Sequence, residues 1–228
     1  MPSPQPAFTE ADRLKALYAA AILDTPPEAS FDALTELASF ICRTPMSAIT
    51  FIDEHRQWFK SRIGLGVPET PLDISICKHA VDANNTLIVT DATKDARFSG
   101  FSTVTGDPFV RFYAGVPLRN RDGIPLGTLC VFDREPRNLA PDQERALRAL
   151  AQQTSDQLEI RRVAEELRDA LQQVKTLQEL VPMCAWCRRI RDDKNYWQQV
   201  EQYLSSHAGV DVTHGICPEC SEKVLNGD

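Results

Sequence analysis

Phe112-Tyr113-Ala114-Gly115-Val116-Pro117-Leu118 is a compact apolar run, followed by Arg121-Asp122-Gly123 and then by Pro125 to Phe132. An apolar run of this length, bounded by turn residues, reads as a buried strand. Asp-Gly supplies turn chemistry, so the stretch predicts two strands joined as a hairpin. Working outward, Ala48-Ile49-Thr50-Phe51-Ile52 is a second strand, Asp53-Glu54-His55-Arg56 a turn, and Gln57 to Arg62 a returning strand. That hairpin's loop is too long for a tight primed turn. Leu87-Ile88-Val89-Thr90 is one more short strand.

The flanks have a different period. Leu14, Leu17 and Ala21 recur at helical spacing between Glu10 and Ala21, and Pro26-Pro27 stops that helix. Phe31, Leu34, Leu37, Ala38 and Ile41 predict a second amphipathic helix. Ser75 to Asn84 reads as a short helix, while residues 63–74 and 91–105 read as loop. Pro141 suits the first turn of a long helix that the pattern carries to about Val181. Helices flanking a mainly antiparallel sheet make the fold class α+β.

Within the long helix, Val163, Leu167, Ala170, Val174, Leu177 and Val181 are spaced 4, 3, 4, 3, 4. That is a short heptad seam, and it predicts a homodimer through residues 160–181; a single helix packed on its own domain is the alternative. The organisation expected is a tail at 1–9, a sensor domain at 10–160, a signalling helix at 161–180 and a small module at 181–228.

A 43% hydrophobic share with 25% charged residues is ordinary globular composition, which excludes wholesale disorder. The net charge of -7 argues against nucleic acid as a partner. MPSPQPAFTE at the amino terminus has neither a basic nor an apolar signal region. No stretch approaches the roughly 18 apolar residues of a membrane span, so a cytoplasmic protein without membrane contact is expected.

Four of the seven cysteines form two pairs, Cys184-Ala185-Trp186-Cys187 and Cys217-Pro218-Glu219-Cys220. Two such knuckles, with 29 residues between Cys187 and Cys217, match a tetrahedral four-thiolate site, and zinc is the expected structural cofactor. A module this small has little core, so the metal would supply much of its folding free energy. An iron–sulfur cluster would use the same four ligands, and two redox dithiols remain a further alternative. His214 is an alternate ligand or a neighbour of the site. Tyr196, Trp197, Val200, Tyr203 and Leu204 have the spacing of a helix inside the module. Arg188, Arg189 and Arg191 form a basic cluster, but the module carries five Lys/Arg against seven Asp/Glu. A protein partner therefore fits it better than nucleic acid, and a zinc-stabilised nucleic-acid adaptor stays as an alternative.

Ile22-Leu23-Asp24-Thr25-Pro26-Pro27-Glu28, Ala48 to Asp53, Arg56 to Ser61, Ser75-Ile76-Cys77-Lys78-His79-Ala80, Phe112 to Leu118 and Gly127 to Val131 occur in an order that resembles the GAF domains of bacterial signalling proteins. The carboxyl-terminal segment resembles a short module at the end of some bacterial sensor and response-regulator chains. The resemblance implies a dimeric domain that detects a small ligand or partner and passes the signal along helices to a downstream protein. The ligand pocket it implies involves Trp58, Ser75, Cys77, His79, Phe109 and Tyr113. Family members that bind bilin use a cysteine followed directly by histidine, and here Lys78 intervenes. The Asn-Lys-Phe-Asp-Glu set of cyclic-nucleotide binders is absent from the sequence. Cys77 falls near the reactive cysteine of free-methionine-sulfoxide reductases, which makes a thiol-dependent reductase the enzymatic alternative; the upstream thiols of those enzymes are missing here. No Ser-His-Asp set, carboxylate pair or phosphate-cradling loop is visible, so the expected protein is a non-enzymatic sensor.

Overall fold

The structure is a computed structural model that describes residues 8–178, 182–191, 195–209, 212–213 and 215–226, with only the backbone described at 174–178, 207–208 and 226. The chain divides into two compact units between Glu166 and Leu167. No helix among the described residues is long and apolar enough to cross a membrane.

The first unit is built on a six-stranded sheet: β1 (Met46–Ile52), β2 (Arg56–Ile63), β3 (Glu69–Pro71), β4 (Leu87–Val89), β5 (Phe112–Arg119) and β6 (Pro125–Asp133). The spatial order is β3-β2-β1-β6-β5-β4, and each neighbouring pair is antiparallel. Every residue of β1 and β6 is buried, which is why their sequences lack polar alternation. The expected α+β, GAF-like arrangement of antiparallel sheet and helices is present. The 63–74 stretch, expected as loop, contains β3 and a 3-10 turn at Leu72–Ile74.

Helix α1 (Glu10–Ala19) begins with a capping box between Thr9 and Asp12. It ends two residues before the predicted Ala21, because Ala21 and then Asp24 take positive φ and turn the chain. Helix α2 (Ala29–Cys42) buries Phe31, Thr35, Ala38 and Cys42, whereas Leu37 is exposed and Ile41 only half-buried. The buried stripe is therefore rotated from the predicted one. Thr35 tolerates burial because its hydroxyl donates to Phe31 O at 3.0 Å.

Helices α3 (Ile76–Asp82) and α4 (Ser102–Thr105) pack on one face of the sheet. Phe98 and Val104, in the segment expected to be loop, are fully enclosed there. Helix α5 (Pro141–Gln178) buries Leu147, Ala151 and Leu158 on the first unit. Farther along, Ile160, Val163, Leu167 and Leu171 are exposed. Of the predicted seam, Val163, Leu167 and Ala170 are solvent-facing; the side chains of Val174 and Leu177, and Val181 altogether, lie outside the described residues.

A charged node holds α5 near its exit from this unit. The fully enclosed Lys60 ammonium donates to Thr25 Oγ1 (2.8 Å), Pro26 O (2.6 Å) and Glu28 Oε1 (2.7 Å). Glu28 Oε1 also accepts from Arg161 Nε at 2.9 Å. Burial alone would raise the Glu28 carboxyl, but Lys60 and Arg161 outweigh it and hold the group below its ordinary value. A carboxylate whose folded pKa is depressed stabilises the fold above its unfolded value of about 4.3, and that contribution fades as pH falls through the folded value. Glu28→Gln leaves the enclosed ammonium with neutral acceptors, so a loss of about 3 kcal/mol is expected at neutral pH. Urea midpoints of both proteins should converge on acidification. An equal gap at neutral and acid pH would exclude the charge as the cause.

In the second unit, Met183 bridges Ile190, β7 (Ile190–Arg191) pairs with β8 (Trp197–Gln198), and helices α6 (Val200–Ala208) and α7 (Pro218–Asn226) follow. Tyr196 and Trp197 thus precede the helix predicted to include them. Gln199 is its N-cap.

Candidate functional site

A cavity of about 580 Å³ in the first unit lies on the α3 face of the sheet. Its walls are Gln57 and Phe59 of β2, the Gly64–Val67 turn, β3, the start of α3, Ser102 and Thr103 of α4, and the Asp107–Val110 segment. Strand alternation decides which β2 residues face it. Gln57 and Phe59 do, so Trp58 faces the opposite core, where it packs against Phe51 with ring centroids 6.5 Å apart.

Of the six residues expected to line a pocket, Cys77 borders this cavity. Ser75 is buried behind it. Its hydroxyl donates to Gln57 Oε1 and accepts from Lys78 N at 3.0 Å, so it caps α3 and ties that helix to β2. His79 packs edge-on against Phe98 at 4.9 Å, and burial holds its imidazole below the usual range. Phe109 is 47% exposed, while its neighbours Pro108 and Val110 reach the wall. Tyr113 is fully buried in the cluster beneath.

The lining is mainly apolar, with charge contributed by Glu69, Asp107 and Arg134. Arg56 pairs with Glu69, Asp53 and Asp24, which anchors the β3 wall. The sequence reading passed over Ser102 and Thr103, because their segment has no periodic signal. Tertiary hydrogen bonding places them: Val110 N donates to Thr103 O at 2.9 Å, and Arg111 Nη1 to Val104 O at 2.6 Å.

At the cavity floor Cys77 Sγ lies 3.6 Å from Cys130 Sγ, and Cys130 Sγ lies 3.4 Å from Ala48 O. Thr50 and Thr128 hydroxyls meet at 3.0 Å on the same face. The Tyr113 hydroxyl is buried without a hydrogen-bond partner among the described residues. It lies over Gly115, where an added Cβ would fall 2.0 Å from the phenol oxygen. Burial opposes ionisation of Cys77, yet its polar neighbours, the Cys130 thiol first and then the Thr128, Tyr113 and Thr50 hydroxyls, outweigh it and bring the thiol below its ordinary range. Cys130 is pushed up, by burial and by Cys77.

In the second unit the first cysteine pair closes a tight turn, and the second lies at the start of a helix. Cys184 Sγ accepts from Cys187 N at 3.4 Å, Cys184 N donates to Arg189 O at 2.8 Å, and Arg188 takes φ 60 to close the turn. Backbone N–H groups of Cys187 and Trp186 lower the Cys184 thiol. Cys217 immediately precedes α7, and the Cys220 N–H lowers its thiol. Among the described residues no three His, Cys, Asp or Glu side chains are gathered around one point. Convergence of the two pairs is what a four-thiolate site would still require. His214 lies outside the described residues.

A model of the GAF domain matches residues 9–158. A cyclic di-GMP phosphodiesterase of Pseudomonas aeruginosa is 38% identical over 126 residues, which are 55% of this chain and 22% of the relative. The chain thus spans about a fifth of the length of that curated relative. Among solved structures, the GAF domain of an Acinetobacter phosphoenolpyruvate-protein phosphotransferase superposes with a TM-score of 0.51 at 18% identity, over 73% of this chain and 99% of that one. A Neisseria meningitidis free methionine-R-sulfoxide reductase gives 0.51 at 16%, over 70% and 96%. The Thermosynechococcus elongatus PixJ GAF domain gives 0.51 at 18%, over 73% and 98%. These likenesses concern the fold. With the family model covering well over half of its length, the chain belongs to the GAF domain family.

Proposed function

We propose that the protein is a non-enzymatic signalling sensor whose GAF cavity detects a small molecule and transmits its presence through α5. The observation that carries this reading is the 580 Å³ cavity, within the size range of small-ligand sites, with apolar walls and a few polar groups. The Ser75–Gln57 hydrogen bond couples α3 to β2, and Lys60 on β2 reaches Arg161 of α5 through Glu28. A ligand that favours one cavity geometry would thereby bias the helix. The identity of the ligand lies with the chemistry of this cavity and not with that of the longer phosphodiesterase relative.

The exposed Ile160, Val163, Leu167 and Leu171 follow one another at spacings of three and four, and we assign them to a homodimer seam. Cys184, Cys187, Cys217 and Cys220 hold a structural zinc, supported by the N–H···S geometry of the first knuckle and the place of the second at a helix start. A downstream protein docks on that module in the cytoplasm.

Native mass spectrometry of freshly purified chain tests ligand and dimer together. A dimer retaining a small molecule is expected. Ile74→Trp, which adds bulk to the cavity wall, should lose the small molecule and keep the dimer. Leu167→Glu should do the reverse. A monomer without ligand, or a ligand indifferent to Ile74→Trp, would overturn the reading.

A further inference from the structure

Cys77 and Cys130 come from α3 and β6, 53 residues apart in sequence, and their sulfurs are in van der Waals contact at 3.6 Å. Both thiols are essentially fully enclosed. Two packed thiols in a core need no function, so the surroundings decide the matter. Cys77 is one of the residues that line the cavity, so a small solute held there lies against the turn of α3 that carries this sulfur. The Tyr113 hydroxyl is enclosed without a hydrogen-bond partner among the described residues, and a hydrogen bond left unmade in a core is costly. That phenol is near both sulfurs; burial first, and then their proximity, suppress its ionisation. A buried donor left open next to a thiol is suited to an oxygen atom arriving at that thiol. A metal finds too few ligands, since no third His, Cys, Asp or Glu among the described residues joins the pair.

We propose that Cys77 and Cys130 form a dithiol modification site, at which a small hydroperoxide entering the cavity converts the pair to a disulfide. The Cys77 thiolate attacks the distal peroxide oxygen. An S–O bond forms, the O–O bond breaks, and the alcohol or water leaving group takes up a proton. Cys130 then attacks the Cys77 sulfenic acid. An S–S bond forms, the S–O bond breaks, and the departing hydroxide leaves as water with the Cys130 proton. The dithiol loses two electrons and the peroxide gains them. Closing from 3.6 Å to a bond of about 2.05 Å requires α3 to settle slightly onto β6. The same α3 carries the cavity wall and, through Ser75, holds Gln57. Oxidation therefore changes the cavity from its floor.

Cys42 is the internal contrast. It is buried in the other core cluster, and burial pushes its thiol up to about 11. It should remain a thiol under the same treatment.

This assignment goes beyond the sensor reading and is tested without any ligand. The full chain is exposed to hydrogen peroxide, quenched by unfolding in an alkylating agent, and digested for peptide mass analysis. The expected product joins the Cys77 and Cys130 peptides, two hydrogens lighter than the thiols, with Cys42 fully alkylated. Cys130→Ser should stop at a Cys77 sulfenic acid that dimedone captures. Full alkylation of Cys77 and Cys130 in the wild-type chain, at peroxide doses that already oxidise the Cys184–Cys187 and Cys217–Cys220 pairs, would overturn the proposal. So would a Cys77 cross-link to any other cysteine in place of Cys130. The wild-type measurement stands whether or not Cys130→Ser folds, and failure to retain a ligand in native mass spectrometry would leave this result unchanged.

Discussion

Gly127→Ala is expected to destabilise the first unit by about 3 kcal/mol or more, a large part of the 5–15 kcal/mol typical of a domain. Gly127 lies on β6 opposite Phe51 of β1 and Leu118 of β5. A Cβ there would fall 1.8 Å from Thr50 O, 2.8 Å from Thr50 C and 2.9 Å from Phe51 Cα. Each of those atoms is backbone, so no side chain can swing aside. The strands cannot part locally either, because β1 is flanked by β2 and β6, and β6 by β1 and β5. The clash must be absorbed by breaking the central ladder of the sheet. Gly66→Ala is the control: a Cβ there meets nothing within 4 Å, and a gain of up to about 1 kcal/mol is allowed by the reduced freedom of the unfolded chain. Urea unfolding followed by far-ultraviolet circular dichroism would separate the two. A Gly127→Ala midpoint equal to that of Gly66→Ala would mean that the β1–β6 approach is looser than described.

That close approach was invisible in the sequence, although the strands themselves were plain. β1, β5 and β6 are buried on both faces and read as apolar runs, so period and composition agreed on them. Predictions slipped where a hydrogen bond overrode apolar pattern. Thr35 enters the core because its hydroxyl returns to Phe31 O and its carbonyl accepts from Ser47 Oγ at 2.6 Å; Leu37, more apolar, is left outside. The cavity was half legible. Ser75 and Cys77 carried a signal because they sit at a helix start, but Trp58 drew attention as an aromatic while the strand's parity turned it away. Parity could also have paired the cysteines: Thr128, Cys130 and Phe132 alternate onto one face of β6, the face that α3 covers. A search for a second thiol upstream of Cys77 could not find one that comes from the last strand of the sheet. The α4 wall depends on bonds from Val110 and Arg111, contacts between segments without periodicity, and no local signal encodes them.

Removing the metal proposed for the second unit is expected to unfold that unit and leave the first intact. The argument rests on how little apolar surface the unit encloses. Among its described residues Ile190 is the one buried hydrophobic side chain, while Trp186 is 95% exposed, Leu225 81% and Val224 70%. Burial on this scale cannot offset the ordering of the chain. Four thiolates on zinc can, since structural sites of this kind contribute about 10–16 kcal/mol at neutral pH. The first unit has its own sheet and two core clusters and needs nothing from the metal. Freshly purified protein should therefore contain one zinc per chain, and Cys184→Ser or Cys217→Ser should contain none. Limited proteolysis of either variant, or of chelator-treated wild type, should digest the chain beyond the first unit and leave a resistant fragment near residues 8–166. Metal-free wild type whose second unit resists the protease as well as the first would defeat the zinc proposal. One iron-bearing cluster per chain would replace zinc while keeping the four ligands, because thiolates at Cys184, Cys187, Cys217 and Cys220 suit either centre.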